Sequence, residues 1–298
     1  MKNLSTVRQD YQLVNARYKL DTSEIKFVLA CLTQIKKEDK EFCIYEIKIS
    51  DLESKLQVEQ NSTRLKSFAK KLMSKPLEVP TINGGWIVFN WFSKIQYVPD
   101  ERKFLVRIDE DLKPYLLDLR ERYVMFNLKY ILPLASNYSI RIYQLLKEYE
   151  SLTKRYFLVD ELMDILQVPP SLRRYDNFKR KVLKVAELEL FEHTDIAFTF
   201  EEEKEGKKVH RLVFRISLNS KIKHQNTSSN SKQLQLIDDD IPVSYSRYYG
   251  RNVKASDGTI YEHIIVITPF ADGSLNIKFQ NGETVRAESE DRLKGALI

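Results

Sequence analysis

Apolar positions at Ile25, Val28, Leu29 and Leu32 recur at helical spacing and predict a helix over Thr22–Ile35, with Asp21 or Thr22 as its cap. FCIYEIKIS (42–50) alternates as a short strand, and Ser50-Asp51-Leu52-Glu53 is a capping box opening a further helix. After a turn at Gln57–Gln60, Leu65, Phe68, Ala69, Leu72 and Met73 form one apolar stripe, predicting a basic helix over Ser62–Ser74 that Pro76 and Pro80 end. Trp86–Val98 and Phe104–Ile108 read as two strands joined by the charged turn 99–103.

The order then repeats. Residues 109–135 read as a helical connection, and Ile142, Leu145, Leu146 and Tyr149 stripe the next helix. Val159–Leu166 is a short helix, Pro169-Pro170 a turn, and Tyr175–Leu190 a basic helix burying Phe178, Val182, Ala186 and Leu190. Ile196–Phe200 and Val209–Ser217 are strands around the tip EEEKEGKK, where Gly206 turns the chain. The two stretches align without gaps: Leu52 on Leu162, Leu56-Gln57-Val58 on Leu166-Gln167-Val168, Arg64 on Arg174, Phe68 on Phe178, Lys70-Lys71 on Arg180-Lys181. Helices followed by a hairpin, twice, predict an α+β chain of two tandem winged-helix domains in pseudo-repeat, residues 1–110 and 111–218. A polar linker (219–244) and a small β-rich module (245–298), with turns at Asp272-Gly273 and Asn281-Gly282, follow.

Charge separates these parts. Residues 221–298 hold 10 Lys/Arg and 10 Asp/Glu, so the whole net charge of +6 lies in residues 1–220. Between Asn61 and Lys75 there are five basic residues and no acid; between Arg173 and Lys184 there are six against Asp176 alone. Positive charge opposite an apolar stripe suits a helix lying in a DNA groove. Asn61, Arg64, Arg173, Arg174 and Asn177 have side chains suited to base edges, whereas lysines mostly position on phosphates. The hairpin tips add Arg102 and Lys103, and Lys204, Lys207, Lys208 and His210.

Enzymatic chemistry finds no foothold. There is no phosphate-binding G-x-x-x-x-G-K-[ST] loop, and the four histidines stand far apart without the H-x-H pair of a metal-dependent nuclease. Cys31 and Cys43 make neither a disulfide framework nor a metal quartet. No cofactor, metal or catalytic residue is expected. With no long apolar run and no apolar leader in MKNLSTVRQD, the expected location is the bacterial cytoplasm, away from membranes.

Over about residues 5–217 the chain resembles the replication initiators of iteron-bearing, theta-replicating plasmids. The resemblance rests on RYDNFKRKVLKVAELELFEHTDI, ending in Thr194-Asp195, and on the following FTFEEEKEGKKVHRLVFRI. Asn137–Leu146 and Asp111–Leu116 resemble family blocks as well. It implies two winged helices that bind direct repeats at an origin in double-stranded plasmid DNA, mostly through the second. It also implies opening of an adjacent A/T-rich segment, recruitment of the host initiator and replicative helicase, and a monomer–dimer equilibrium in which dimers repress the initiator's own promoter. The corresponding reading residues are Arg173, Arg174, Tyr175, Asn177, Arg180, Lys181 and Lys184, with Asn61, Arg64, Lys66, Lys70 and Lys71 in the first copy. One departure is Glu189-Leu190-Phe191-Glu192-His193, in place of a more polar stretch before the Thr-Asp; Leu190 and Phe191 are expected to pack. Two alternatives compete: a winged-helix transcriptional regulator, and a nicking enzyme of the rolling-circle type.

Overall fold

Asp21 accepts a hydrogen bond from the Glu24 amide (3.0 Å) and Glu24 accepts one from the Asp21 amide (2.7 Å), a reciprocal cap that starts the helix Thr22–Leu32. This is the first helix of a winged helix in the computed structural model, which describes residues 6–50, 62–81, 85–119, 123–219, 252–255, 259–261, 264–269, 274–279 and 283–297. The basic helix Ser62–Met73 packs on it through Phe68, whose ring meets Phe27 edge-on at 5.3 Å. Strands β3 (Ile44–Lys48), β7 (Lys103–Ile108) and β6 (Phe92–Val98) form the antiparallel wing sheet in the order β3-β7-β6. The capping box at Ser50, the turn at Gln57–Gln60 and Asn61 fall wholly or mostly outside the described residues.

Trp86–Val98 is not one strand. β5 (Trp86–Phe89) pairs with β4 (Leu77–Pro80), which also pairs with β2 (Arg17–Tyr18), while β6 turns away to pair with β7. Trp91 and Phe92 are both buried, and a strand cannot send adjacent side chains to one face, so the chain bends between them. Residues 109–135 also differ from a helical connection. They contain β8 (Tyr123–Asn127), which pairs with β1 (Thr6–Asp10) and sends Val124 and Phe126 inward.

The second winged helix begins with the helix Asn137–Lys147, capped by Ser136 and buried along Ser139–Leu146. Strand β9 (Lys154–Leu158), absent from the sequence reading, follows a left-handed turn at Thr153 (φ 57°). The short helix Val159–Ile165 ends with Gln167 left-handed (φ 50°). There the Gln167 amide bonds the Asp164 carbonyl and the Val168 amide that of Met163, satisfying the last carbonyls. After Pro170–Leu172 one continuous helix runs through Tyr175–Phe178, a π turn at Lys179–Leu183, and Lys184–His193. β10 (Ile196–Glu205) and β11 (Lys208–Leu218) form the wing, turned by Gly206 (φ 61°), in a sheet of order β10-β11-β9.

A single hydrophobic core runs from Val7 to Ile216 and includes Phe27, Tyr143, Phe178 and Phe214. Beside it lies a buried polar junction between the two halves. Arg141 donates to the Tyr18 hydroxyl (2.6 Å) and the Ala16 carbonyl (2.8 Å), and Gln144 donates to Gln9 (2.9 Å). Arg155 bonds Glu148 (3.0 Å) and Asn15 (2.6 Å).

Residues 230–298 form a second compact unit. Its described part has β12 (Val253–Lys254) paired with β13 (Ile260–Tyr261), and an antiparallel sheet of β14 (Ile264–Pro269), β15 (Leu275–Phe279) and β16 (Thr284–Ala287). A closing helix Glu290–Ala296, not foreseen from sequence, puts Leu293 into a separate core with Leu275, Ile277 and Phe279.

Candidate nucleic-acid interface

In the first basic helix Leu65 and Leu72 face inward, which turns Arg64, Lys66, Lys70 and Lys71 outward on the opposite arc. Lys71 is also tied to the neighbouring helix. Its ammonium pairs with Asp21 at 2.6 Å and Glu24 at 3.6 Å, and Lys75 also pairs with Glu24. The Asp21 bond raises the Lys71 pKa; burial raises the Asp21 carboxyl, but the bonds from Lys71, the Glu24 amide and Ser23 together outweigh it and lower it. Lys71 therefore holds the helix to its neighbour, while Arg64, Lys66 and Lys70 are exposed on its outward arc.

The second basic helix is shaped by its apolar row. Phe178, Val182, Ala186 and Leu190 recur every four residues, and an α-helix turning every 3.6 residues would let that row drift by about 40° per step. The π turn at Lys179–Leu183 widens one turn, absorbing drift so that all four stay buried, with Leu183 beside them. Its outer side presents Arg180 and Lys181 to solvent, with Arg180 3.5 Å from the side-chain oxygen Oδ1 of Asn177. Lys184 is exposed one turn on, near Glu187 (2.6 Å) and over the Phe200 ring (5.0 Å).

Arg173 and Arg174 precede the helix, which starts at Tyr175 after the Pro170–Leu172 turn as read from the sequence. Arg173 pairs with Asp164, whereas Arg174 is 79% exposed and meets only Asp176, at 3.4 Å, among the ion pairs of the described residues. Arg64, its counterpart in the sequence echo, lies inside its own helix. Tyr175 turns its hydroxyl inward, buried beside Glu202 without reaching hydrogen-bond geometry. Burial first, and the Glu202 carboxylate second, raise its pKa.

The wing resolves a difficulty in the sequence. Glu201, Glu202 and Glu203 stand beside the basic helix and would repel a phosphate backbone. Each has a cation: Arg215 for Glu201 (2.7 Å), Lys179 for Glu202 (2.6 Å) and Arg211 for Glu203. Burial raises the Glu202 carboxyl, but Lys179 and the other polar neighbours, Tyr175 and Lys204, together outweigh it and lower the pKa. The signal was present in the outward positions Arg211 and Arg215 of β11, yet only the strand register assigns them to these acids. Lys207 and Lys208 project from the tip, Lys208 within 3.3 Å of Asp160. In the first wing Lys103 pairs with Glu46 and Glu101.

Thr194-Asp195 ends the helix. The Thr194 hydroxyl lies 3.0 Å from the Leu190 carbonyl and 2.7 Å from that of Ile196, while Asp195 accepts from Tyr143 (2.9 Å) and Lys147 (2.8 Å) of the buried helix. Asn219, unremarked in the sequence, donates to the carbonyls of Phe191 (2.7 Å) and Thr194 (2.9 Å). Leu190 packs as expected, but Phe191 stays 43% exposed, since its inward-facing neighbour leaves it on the flank. Among the described residues no group of three His, Cys, Asp or Glu could hold a metal ion, and no helix is long and apolar enough to cross a membrane.

Residues 6–147 match the family described as Initiator Replication protein, WH1, and residues 158–216 match Initiator Rep protein, WH2. A replication initiation protein of Escherichia coli is 22% identical over 249 residues, spanning 78% of this chain and 76% of the relative. The PI protein of Escherichia coli is 31% identical over 138 residues, 40% of this chain and 45% of that protein. The fold is shared with a crystal structure of the Pi initiator protein in complex with iteron DNA (TM-score 0.58, 22% identity, 73% of this chain and 99% of that one). Two winged helices in family order, each matched by its own half of the family, place this chain in the replication initiator (Rep) family of plasmids.

Proposed function

We propose that this initiator binds direct repeats in a plasmid origin as a monomer with two DNA-reading helices. Arg180 and Lys181 of the second helix enter the major groove, joined by Arg174, Asn177 and Lys184. Arg173 reaches the DNA from the preceding turn on leaving Asp164, and Lys207 and Lys208 follow the backbone from the wing. Tyr175 buttresses this surface. Arg64, Lys66 and Lys70 of the first helix contact phosphates beside it, as does Asn61, with Lys71 behind. The observation carrying this reading is the pair of exposed basic helices, the second flanked by a wing whose Glu201, Glu202 and Glu203 each have a cation. The Pi initiator, seen with iteron DNA, supports repeats as the ligand. Binding opens the adjacent A/T-rich DNA and brings in the host initiator and helicase in the bacterial cytoplasm, and the dimer represses the initiator's promoter.

Footprinting the DNA beside the initiator's own gene tests the assignment. Protection of several direct repeats of about two helical turns, next to an A/T-rich segment, is the expected result; a single palindrome would mark a transcriptional regulator instead. With on the order of 8 phosphates neutralised, log affinity should fall against log salt with a slope near −7. A slope near zero would sink the DNA-binding surface as drawn.

A further inference from the structure

The segment 132–137 joins the two halves and is held from both sides. From the first half, Lys26 donates to the Leu132 carbonyl (2.7 Å) and Thr22 to the Ala135 carbonyl (2.8 Å), and the Leu20 carbonyl accepts from Asn137 (3.1 Å). From the second basic helix, one oxygen of Glu189 accepts from the amides of both Ala135 and Ser136, each at 3.2 Å. The helix carrying Thr22 and Lys26 is the one that grips the first basic helix, through Phe27 on Phe68, Asp21 on Lys71 and Glu24 on Lys75. Short contacts thus run without a gap from one basic helix to the other, and Lys26 at their middle is 92% buried.

We propose that Glu189 and Lys26 are positioning residues that set the distance and angular phase between the two DNA-reading helices, and so the spacing within a repeat that the protein accepts. This rests on the two-helix reading above. Neither residue lies among those proposed to touch DNA. A bond made to backbone amides and a carbonyl holds position without depending on the identity of the segment's side chains. A carboxylate at the amides that begin the helix Asn137–Lys147 is also favoured by the helix dipole. DNA turns once in 10–10.5 base pairs and about 34–36 Å, so two inserted base pairs move one contact by about 7 Å and about 70° relative to the other. A rigid frame cannot follow that displacement; a loosened one can.

The test uses the full chain and a single repeat. Footprinting of the unmodified repeat should show two protected patches. A single patch would overturn the two-helix reading, and the frame with it. Two base pairs are then inserted between the patches. The native protein should lose at least about 10-fold in affinity, Glu189→Ala no more than about 3-fold, and Lys26→Met an intermediate amount, relative to each protein's own affinity for the unmodified repeat. Glu189→Gln keeps an oxygen that accepts from both amides and should restore the native discrimination, which a mere loss of folding in the alanine variant would not predict. With two patches present, an insertion that costs the native protein nothing, or an undiminished penalty in both Glu189→Ala and Lys26→Met, overturns the frame alone.

Discussion

Replacing Arg180 and Lys181 together by alanine is expected to abolish specific binding to the repeats while leaving the fold unchanged. Both side chains are exposed on the outer side of the π turn, whereas Phe178, Val182 and Leu183 on its inner side make the core contacts. A side chain read against a base or a phosphate in this setting contributes about 1–3 kcal/mol, so losing two should cost at least about 30-fold and reduce the salt slope by about 2. Exposed positions away from core and caps change stability by only about 0.5 kcal/mol, so the melting temperature should stay within about 2 °C. An unaltered footprint from the double variant would remove the second helix from the reading surface.

The largest loss of stability is expected from Arg155→Met. Its guanidinium lies between the Tyr149 and Phe157 rings (4.4 and 4.3 Å to their centroids) and bonds Glu148, Asn15 and the Leu145 carbonyl. Arg155 and Glu148 side chains are only 8% and 4% exposed. Removing one partner of a buried pair leaves the other charge in a medium that solvates it poorly, at a cost of about 3–5 kcal/mol. In a unit of about 200 residues that lowers the melting temperature by roughly 6–20 °C. Exchanging Glu148 for leucine as well should recover most of the loss, because an apolar pair leaves no stranded charge. Equal melting of Arg155→Met and the native protein would show that the junction carries no such weight.

Much of the fold was legible because its information is local. The helices Thr22–Leu32 and Ser62–Met73 announced themselves through a 3.6-residue apolar period, and the second wing through alternation around Gly206. What escaped was pairing between distant segments. YVMFN alternates well enough for a strand, yet its partner TVRQD lies more than a hundred residues away, and without it residues 109–135 look helical. The break between Phe89 and Phe92 was hidden because a long run of β-formers carries no mark of which sheet each half joins. The site divided along the same line. That two helices were basic could be read; that Lys71 is tied to Asp21, that Tyr175 turns inward, and that Phe191 stays outside could not.

By itself, then, the sequence determined the inventory: two unequal copies of an amphipathic basic helix before a hairpin, the net positive charge confined to residues 1–220, and the family block ending at Thr194-Asp195. Periodicity and composition hold that information because each residue's helical phase depends only on its neighbours in the chain. The tertiary structure alone decided which charges are left for a ligand. An ion pair depends on distances between segments that no local pattern encodes, so Lys179, Arg211 and Arg215 became the wing's internal counter-ions while Arg180 and Lys181 remained outward.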